Sequence, residues 1–322
     1  MQKLPDRLEG LHHVTVATGS AQGDVDLMVK TLGQRLVKKT MFFDGAHPVY
    51  HLYFGNELGD PGTLYTTFPV RQAGYKGRAG AGQLSSVSYA APKDSLGWWT
   101  AHLKRNGIEA SSVKERFGER YISFQHPDCG VGFELIEQAD LDGTFDPWDS
   151  PFVPKAYALR GFHSWTATLH EDEEMDSFIR NAWNLNPVGR DGAFRRYAFG
   201  NGGPAKIFDV YVDDDAPKGT WALGEGTVHH AAFTVKDIDV QAQLKFDVEG
   251  IGFTDVSDRK HRGYFESVYV RTPGGVLFEA TSTIGFTHDE DLHSLGTEVK
   301  VSPQLEGEKD ALLAQMNDPI VV

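Results

Sequence analysis

A single cysteine, Cys129, occurs in the 322 residues. That count excludes a disulfide framework and any metal cage built from thiolates, and it fits a reducing cytoplasm. No run approaches the ~20 apolar residues that a membrane-spanning helix needs. The opening MQKLPDRLEG lacks the apolar centre of a secretory signal. Basic residues are scarce: 31 Lys and Arg face 45 Asp and Glu, leaving a net charge of −14. Such a field repels a phosphate backbone, and the short basic stretches VKKT and SDRKHRG do not reverse it. The sequence predicts a soluble cytoplasmic protein with no nucleic-acid partner and no membrane partner. It leaves a homo-oligomer open. With 40% hydrophobic residues, the chain has the material for a packed core.

What the sequence does have is repetition. From Gly10 the order is a strand (11–18), a helix (about 22–33) and short strands near 35–41, 49–55 and 62–69. The helix rests on the spacing of Val25, Met28, Val29 and Leu32, and the strands on alternation as in VYHLYFG. The same order returns three times. The later units open on QLSSVSYAA, GFHSWTATL and TVHHAAFTV, and close on GVGFELIE, KIFDVYV and GGVLFEATS. The predicted fold class is α+β, four tandem βαβββ modules in two domains. Modules one and two fill 8–141, modules three and four fill 158–284, and 285–322 form a C-terminal tail. The Pro- and Asp-rich stretch 142–160 separates the halves.

Two modules open with paired histidines, GLHHVTVAT and TVHHAAFTV. Stacking the four opening strands aligns His13, Ser86, Ser164 and His230. Stacking the closing strands aligns Thr66, Glu134, Asp209 and Glu279. Modules one and four together offer His13, His230 and Glu279, with Thr66 at an unoccupied corner. Modules two and three offer no imidazole. Two imidazoles and one carboxylate with open positions form the facial triad of non-haem Fe(II) oxygenases. Neighbours on a regular strand face opposite ways, so one histidine of each pair is a ligand, and we assign the second. Glu279 shares a strand face with Leu277 and Thr281, where a carboxylate needs a partner or a metal.

The four-module pattern resembles the vicinal-oxygen-chelate superfamily of glyoxalases, bleomycin-resistance proteins and extradiol dioxygenases. EGTVHHAAFTV, GFTDVSDRKHRGYFESVYVRTPGGVLFEAT, GFTHDED, the terminal DPIVV, and earlier GQRLVKKTMFFDG and RGFHSWTA resemble the ring-cleaving hydroquinone and chlorohydroquinone 1,2-dioxygenases over essentially the whole chain. The resemblance implies Fe(II) as cofactor, O2 as co-substrate and a small aromatic substrate. The same ligand set also accepts Mn(II). Carried over by motif, the ligands are again His13, His230 and Glu279. His12, Thr15, His229, Arg262 and Tyr269 surround them as catalytic residues. The resemblance gives Tyr269 a phenol to offer the substrate or oxygen, Arg262 a charge to stabilise developing anions, and His229 an acid or base role. An ideal strand points His229 away from His230, so that role demands a twist or a bulge. The alternatives are a glyoxalase-like metal-dependent isomerase, which wants a fourth protein ligand where Thr66 stands, and a non-catalytic quinone- or drug-binding protein.

Other features read as structural. GRAGAGQ lacks the Lys-Ser/Thr of a phosphate loop and is a connector. THDEDLHSLG (287–296) is charged and follows the last strand, so it reads as a solvated tail. The apolar ending PIVV makes that tail a candidate to fold over the pocket mouth. Trp98 and Trp99 read as core, His163 as structural, and Cys129 as a turn residue without a base.

Overall fold

The structure is a computed structural model that describes residues 1–43, 45–141, 144–316 and 320–322. Each module is a strand, a helix and three further strands. The first has β1 (Leu8–Thr18), α1 (Ala21–Val25), β2 (Arg35–Phe43), β3 (Pro48–Gly55) and β4 (Leu64–Pro69). Ser20 caps α1 by accepting from the Gly23 amide, and a wider π turn (Asp26–Thr31) prolongs the helix. The second has β5 (Gln83–Pro92), α2 (Leu96–Arg105), β6 (Lys114–Arg116), β7 (Glu119–Gln125) and β8 (Gly132–Gln138). The third has β9 (Phe162–Leu169), α3 (Glu173–Asn181), β10 (Asn186–Asp191), β11 (Phe194–Ala198) and β12 (Ile207–Val212). The fourth has β13 (Thr227–Val235), α4 (Ile238–Gly250), β14 (Lys260–His261), β15 (Phe265–Arg271) and β16 (Leu277–Thr283). The four-module reading of the sequence is thereby borne out.

The modules pair as first with fourth and second with third. A nine-stranded sheet runs β14-β15-β16-β13-β1-β4-β3-β2, with β17 (Val299–Lys300) added at the β2 edge. An eight-stranded sheet runs β10-β11-β12-β9-β5-β8-β7-β6. Within a module the first and last strands lie parallel, as β1 and β4 do. The modules join through antiparallel pairs, β1 with β13 and β5 with β9. Alternation then separates two environments. On β1, Val14 and Val16 are fully buried in the main core, whereas His13 and Thr15 face the other way, into the curl of the sheet. Aromatic pairs bind the two sheets back to back, Trp165 with Phe233 at 5.8 Å and Tyr65 with Phe133 at 5.3 Å between ring centroids. Gly161 has positive φ, and a Cβ there would strike the Phe145 ring at 2.4 Å, so this glycine leaves the linker room to pack.

The tail corrects the sequence reading. THDEDLHSLG is not simply solvated. Lys38 on β2 is fully buried, and its ammonium is paired by Asp289 at 2.6 Å and by Glu290. Glu290 is itself buried, and Phe286 and Leu295 fill an apolar cluster with Tyr53 and Phe265. The charge run has a buried cation to satisfy, which the tail's own composition does not reveal. His288, Asp291 and His293 are exposed. Of the ending DPIVV, the first two residues lie outside the described ones. Ile320 packs on the main core, and the Val321 amide donates to Gln22 on α1. Among the described residues, no helix is long and apolar enough to cross a membrane.

Candidate metal centre

Four adjacent strands, β16-β13-β1-β4, carry the candidate ligands. Their register forms two rows. Glu279 lies beside Ala232, which lies beside His13. His230 lies beside Thr15, which lies beside Thr66. Among the described residues, His13, His230 and Glu279 are the group of three or more candidate donors whose ligand atoms all lie within 4.8 Å of one another. His13 Nε2 is 3.1 Å from His230 Nε2. Glu279 Oε2 lies 2.9 Å from His230 Nε2 and 3.6 Å from His13 Nε2. All three side chains are buried.

The electrostatics suit a cation. Burial, opposed by Glu279 and aided by His230, lowers His13 to about 4, so the ring is neutral with a free lone pair. Burial pushes the Glu279 carboxyl up, but His230 and His13 outweigh it and hold it well below the usual carboxylate range. Glu279 Oε1 accepts from Thr281 at 2.7 Å. Its Oε2 is buried and makes no hydrogen bond. A buried carboxylate oxygen without a hydrogen bond, facing two imidazole nitrogens, is an unsatisfied donor set. A divalent cation satisfies all three atoms at once, and the set fits non-haem iron chemistry.

The first histidine of each pair lies beside the second. The β1–β13 ladder slips between Leu11 and His13 and again between His230 and Val228. His12 and His229 are the extra residues at those bulges, which breaks strict alternation. His12 Nδ1 then lies 2.9 Å from His13 Nδ1, and His229 Nδ1 lies 2.8 Å from His230 Nδ1. His12 Nε2 meets Thr283 Oγ1 at 2.8 Å. Burial, with His230, lowers His229 to about 3, and burial, with His13, lowers His12 well below its ordinary value.

The remaining predicted residues also gather here. Thr15 Oγ1 is 2.8 Å from His230 Nε2 and 2.7 Å from Thr66 Oγ1. Tyr269 on β15 pairs with Glu279 across the strands, and its ring is 5.6 Å from that of His230. Arg262 Nε donates to the Tyr269 hydroxyl at 3.1 Å. Burial and the Glu279 charge push the Tyr269 phenol up, against Arg262, so it keeps its proton. The phenyl of Phe265 stacks on His13 at 5.1 Å.

His51 and Tyr53 were not singled out in the sequence. The alternation of VYHLYFG puts them on one face of β3, but nothing in that strand marks the face as lining a site. His51 Nδ1 meets the Tyr53 hydroxyl at 2.9 Å, and its Nε2 is 3.3 Å from Thr66 Oγ1.

The other features fall outside the centre. His163 bonds Ser164 and Glu119, Trp99 is core, and Trp98 stacks on His102 and Tyr157. Cys129 has a neighbour the sequence reading lacked. It stands close enough to the buried imidazole of His126 to help raise that ring's affinity for a proton.

No family model matches the chain. The chain is 74% identical, over all of both chains, to a chlorohydroquinone/hydroquinone 1,2-dioxygenase of Sphingobium indicum. It is 35% identical, over 92% of each chain, to a candidate ring-cleaving dioxygenase, MhqO, of Bacillus subtilis. Its fold matches that of glyoxalase I from Zea mays with a TM-score of 0.62 at 15% identity, covering 89% of this chain and 96% of that one.

Proposed function

The chain belongs to the ring-cleaving dioxygenases, and from that premise we propose that it opens the ring of hydroquinone or chlorinated hydroquinones with O2 at an Fe(II) held by His13, His230 and Glu279. The observation that carries this reading is the buried Glu279 Oε2, without a hydrogen bond and facing two imidazole nitrogens. When bound, the iron supplies the redox chemistry that joins O2 to the ring.

The protein's own groups orient and move protons around that event. With each Nε2 lone pair turned to a cation, the proton of His13 sits on Nδ1 and is donated to His12 Nδ1. His12 therefore carries its proton on Nε2 and donates it to Thr283. By the same logic His230 donates from Nδ1 to His229 Nδ1, so His229 bears its proton on Nε2 and is a hydrogen-bond donor and acid. The paired histidines are thus one ligand and one holder, twice. Tyr269 keeps its proton and offers a second donor. Arg262 fixes that hydroxyl and brings positive charge to where an anion develops. Thr15 fills the space beside His230, and its bond to Thr66 keeps the corner without a carboxylate polar but non-ligating. Three ligands rather than four favour oxygen chemistry over a glyoxalase-type isomerisation.

The test uses anaerobically purified protein loaded with Fe(II). Adding hydroquinone and O2 should consume oxygen in proportion to a ring-opened product. Binding of the ring without oxygen uptake would sink the proposal.

A further inference from the structure

His51 lines the same centre from the side that carries no ligand. It stands on β3 with Tyr53 beneath it and the Phe68 ring against it, at centroid distances of 4.3 and 4.1 Å. Tyr53 is buried, and its hydroxyl meets His51 Nδ1 at 2.9 Å. With the phenol proton given to Nδ1, the neutral ring of His51 must carry its own proton on Nε2. That N–H is poorly used. Its neighbour, Thr66 Oγ1, is 3.3 Å away, beyond the usual range, and already holds a 2.7 Å bond with Thr15. His51 is half-buried rather than sealed in. The structure therefore holds an oriented, under-satisfied donor on an aromatic wall, aimed across the corner at Thr66.

Its distance from the ligands decides what it can reach. Two hydroxyls in series, Thr66 and Thr15, separate His51 Nε2 from His230 Nε2. Because β4 stands between β3 and β1, a ring oxygen held at the ligand end would face His51 across Thr66, and the far side of an aromatic ring lying toward Phe68 would be turned to it. An ortho hydroxyl would stay beside the ligands, whereas a para hydroxyl lies across the ring.

We propose that His51 recognises the second hydroxyl of a para-dihydroxylated ring by donating Nε2–H to its oxygen. This rests on the proposed function, and it makes His51 a substrate-binding residue that selects hydroquinones over rings with one hydroxyl. A pocket built to hydrogen-bond a hydroxyl discriminates against the analogue that lacks it.

The experiment compares anaerobic binding of hydroquinone and phenol to the Fe(II)-loaded full chain, alongside oxygen uptake. The wild-type protein should bind hydroquinone more tightly than phenol. His51→Phe should lose about ten- to a hundredfold of hydroquinone affinity, a single oriented hydrogen bond's worth, with phenol affinity unchanged and KM rising more than kcat falls. His51→Gln, which keeps a side-chain N–H, should recover part of the loss. Tyr53→Phe leaves the imidazole in place but frees its tautomer, and should weaken hydroquinone alone, so the inference stays testable if His51→Phe does not fold. An unchanged preference for hydroquinone in His51→Phe would overturn the inference, as would an equal loss for both ligands. Failure of the wild-type protein to take up oxygen with hydroquinone would instead overturn the proposed function, which separates the two.

Discussion

Glu134 and Glu279 occupy the same place in two halves of one fold, and only Glu279 is faced by histidines. Each lies on the last strand of its module. Glu279 sits between Ala232 and Tyr269, and Glu134 between Ser88 and Ser123. Where Glu279 meets two imidazoles, Glu134 is gripped by the Arg116 guanidinium through bonds of 2.9 and 2.6 Å. Asp209, at the place of Thr66, is gripped by Arg196 through two bonds of 2.9 Å. The ladders also align Arg116 with Arg262, since Lys114 and Lys260 pair at matching positions two residues earlier. The second curl thus neutralises its carboxylates with fixed guanidinium ions.

Removing the carboxyl donor of the first curl should empty the centre. Glu279→Gln keeps the shape and loses the charge, and iron content and oxygen uptake should both fall by more than about a hundredfold. Metal analysis beside the oxygen electrode checks this. Full iron with full turnover in that variant would refute the ligand set.

The holder histidines should tune the ligands rather than replace them. His12→Phe removes the partner of His13 Nδ1 and should weaken iron affinity about ten- to a hundredfold. His12→Gln should lose less. Competition with a chelator measures both, and equal affinity in all three proteins would exclude a holding role.

Arg196→Ala should cost stability without touching the metal. It strips the fully buried Asp209 of both guanidinium hydrogen bonds, with the Arg116 Nε at 4.0 Å as the cation that remains, and should cost about 2–3 kcal/mol by denaturant unfolding. The double variant Arg196→Met with Asp209→Asn should recover much of that. Iron content should match the wild-type protein in both, and a fall would mean the two curls are coupled.

Stability should decline on the alkaline side. His126 lies 3.3 Å from Asp24, and both are buried. Burial disfavours its proton, but Asp24 and Cys129 outweigh this and raise it from 6.5 to about 10. Between those values the folded chain keeps a proton that the unfolded chain has lost. The contribution is complete below pH 6.5 and disappears as pH rises through 10. Asp24, pushed up by burial, acts in the same direction at lower pH. Melting curves from pH 6 to 9 should therefore slope downward, and His126→Gln should flatten them. A slope that survives the substitution would remove His126 as its source.

The candidate ligands were legible because repetition singles them out. His13 and His230 stand at one place in two modules, and Glu279 recurs as Glu134, so the four aligned strands by themselves point to a pairing. The bulges at His12 and His229 were legible only as a requirement. A one-residue slip leaves no mark in a run such as GLHHVTVAT, because both histidines suit either face. The role of the tail was hidden for another reason. Lys38 lies far away in sequence, in a strand that reads as ordinary, and the acidic partners acquire meaning only beside it. His51 was missed because it belongs to one module alone, where repetition is silent.

The pairing of the first module with the last has a consequence for how the protein is made. His13 leaves the ribosome long before Glu279 is synthesised, and domains otherwise condense in order of emergence. The strands that bracket β1 in the finished sheet include β13, which is made more than two hundred residues after it. Assembly of the proposed centre must therefore wait until Glu279 has been made, and a chain terminated before that point lacks one of its three candidate donors.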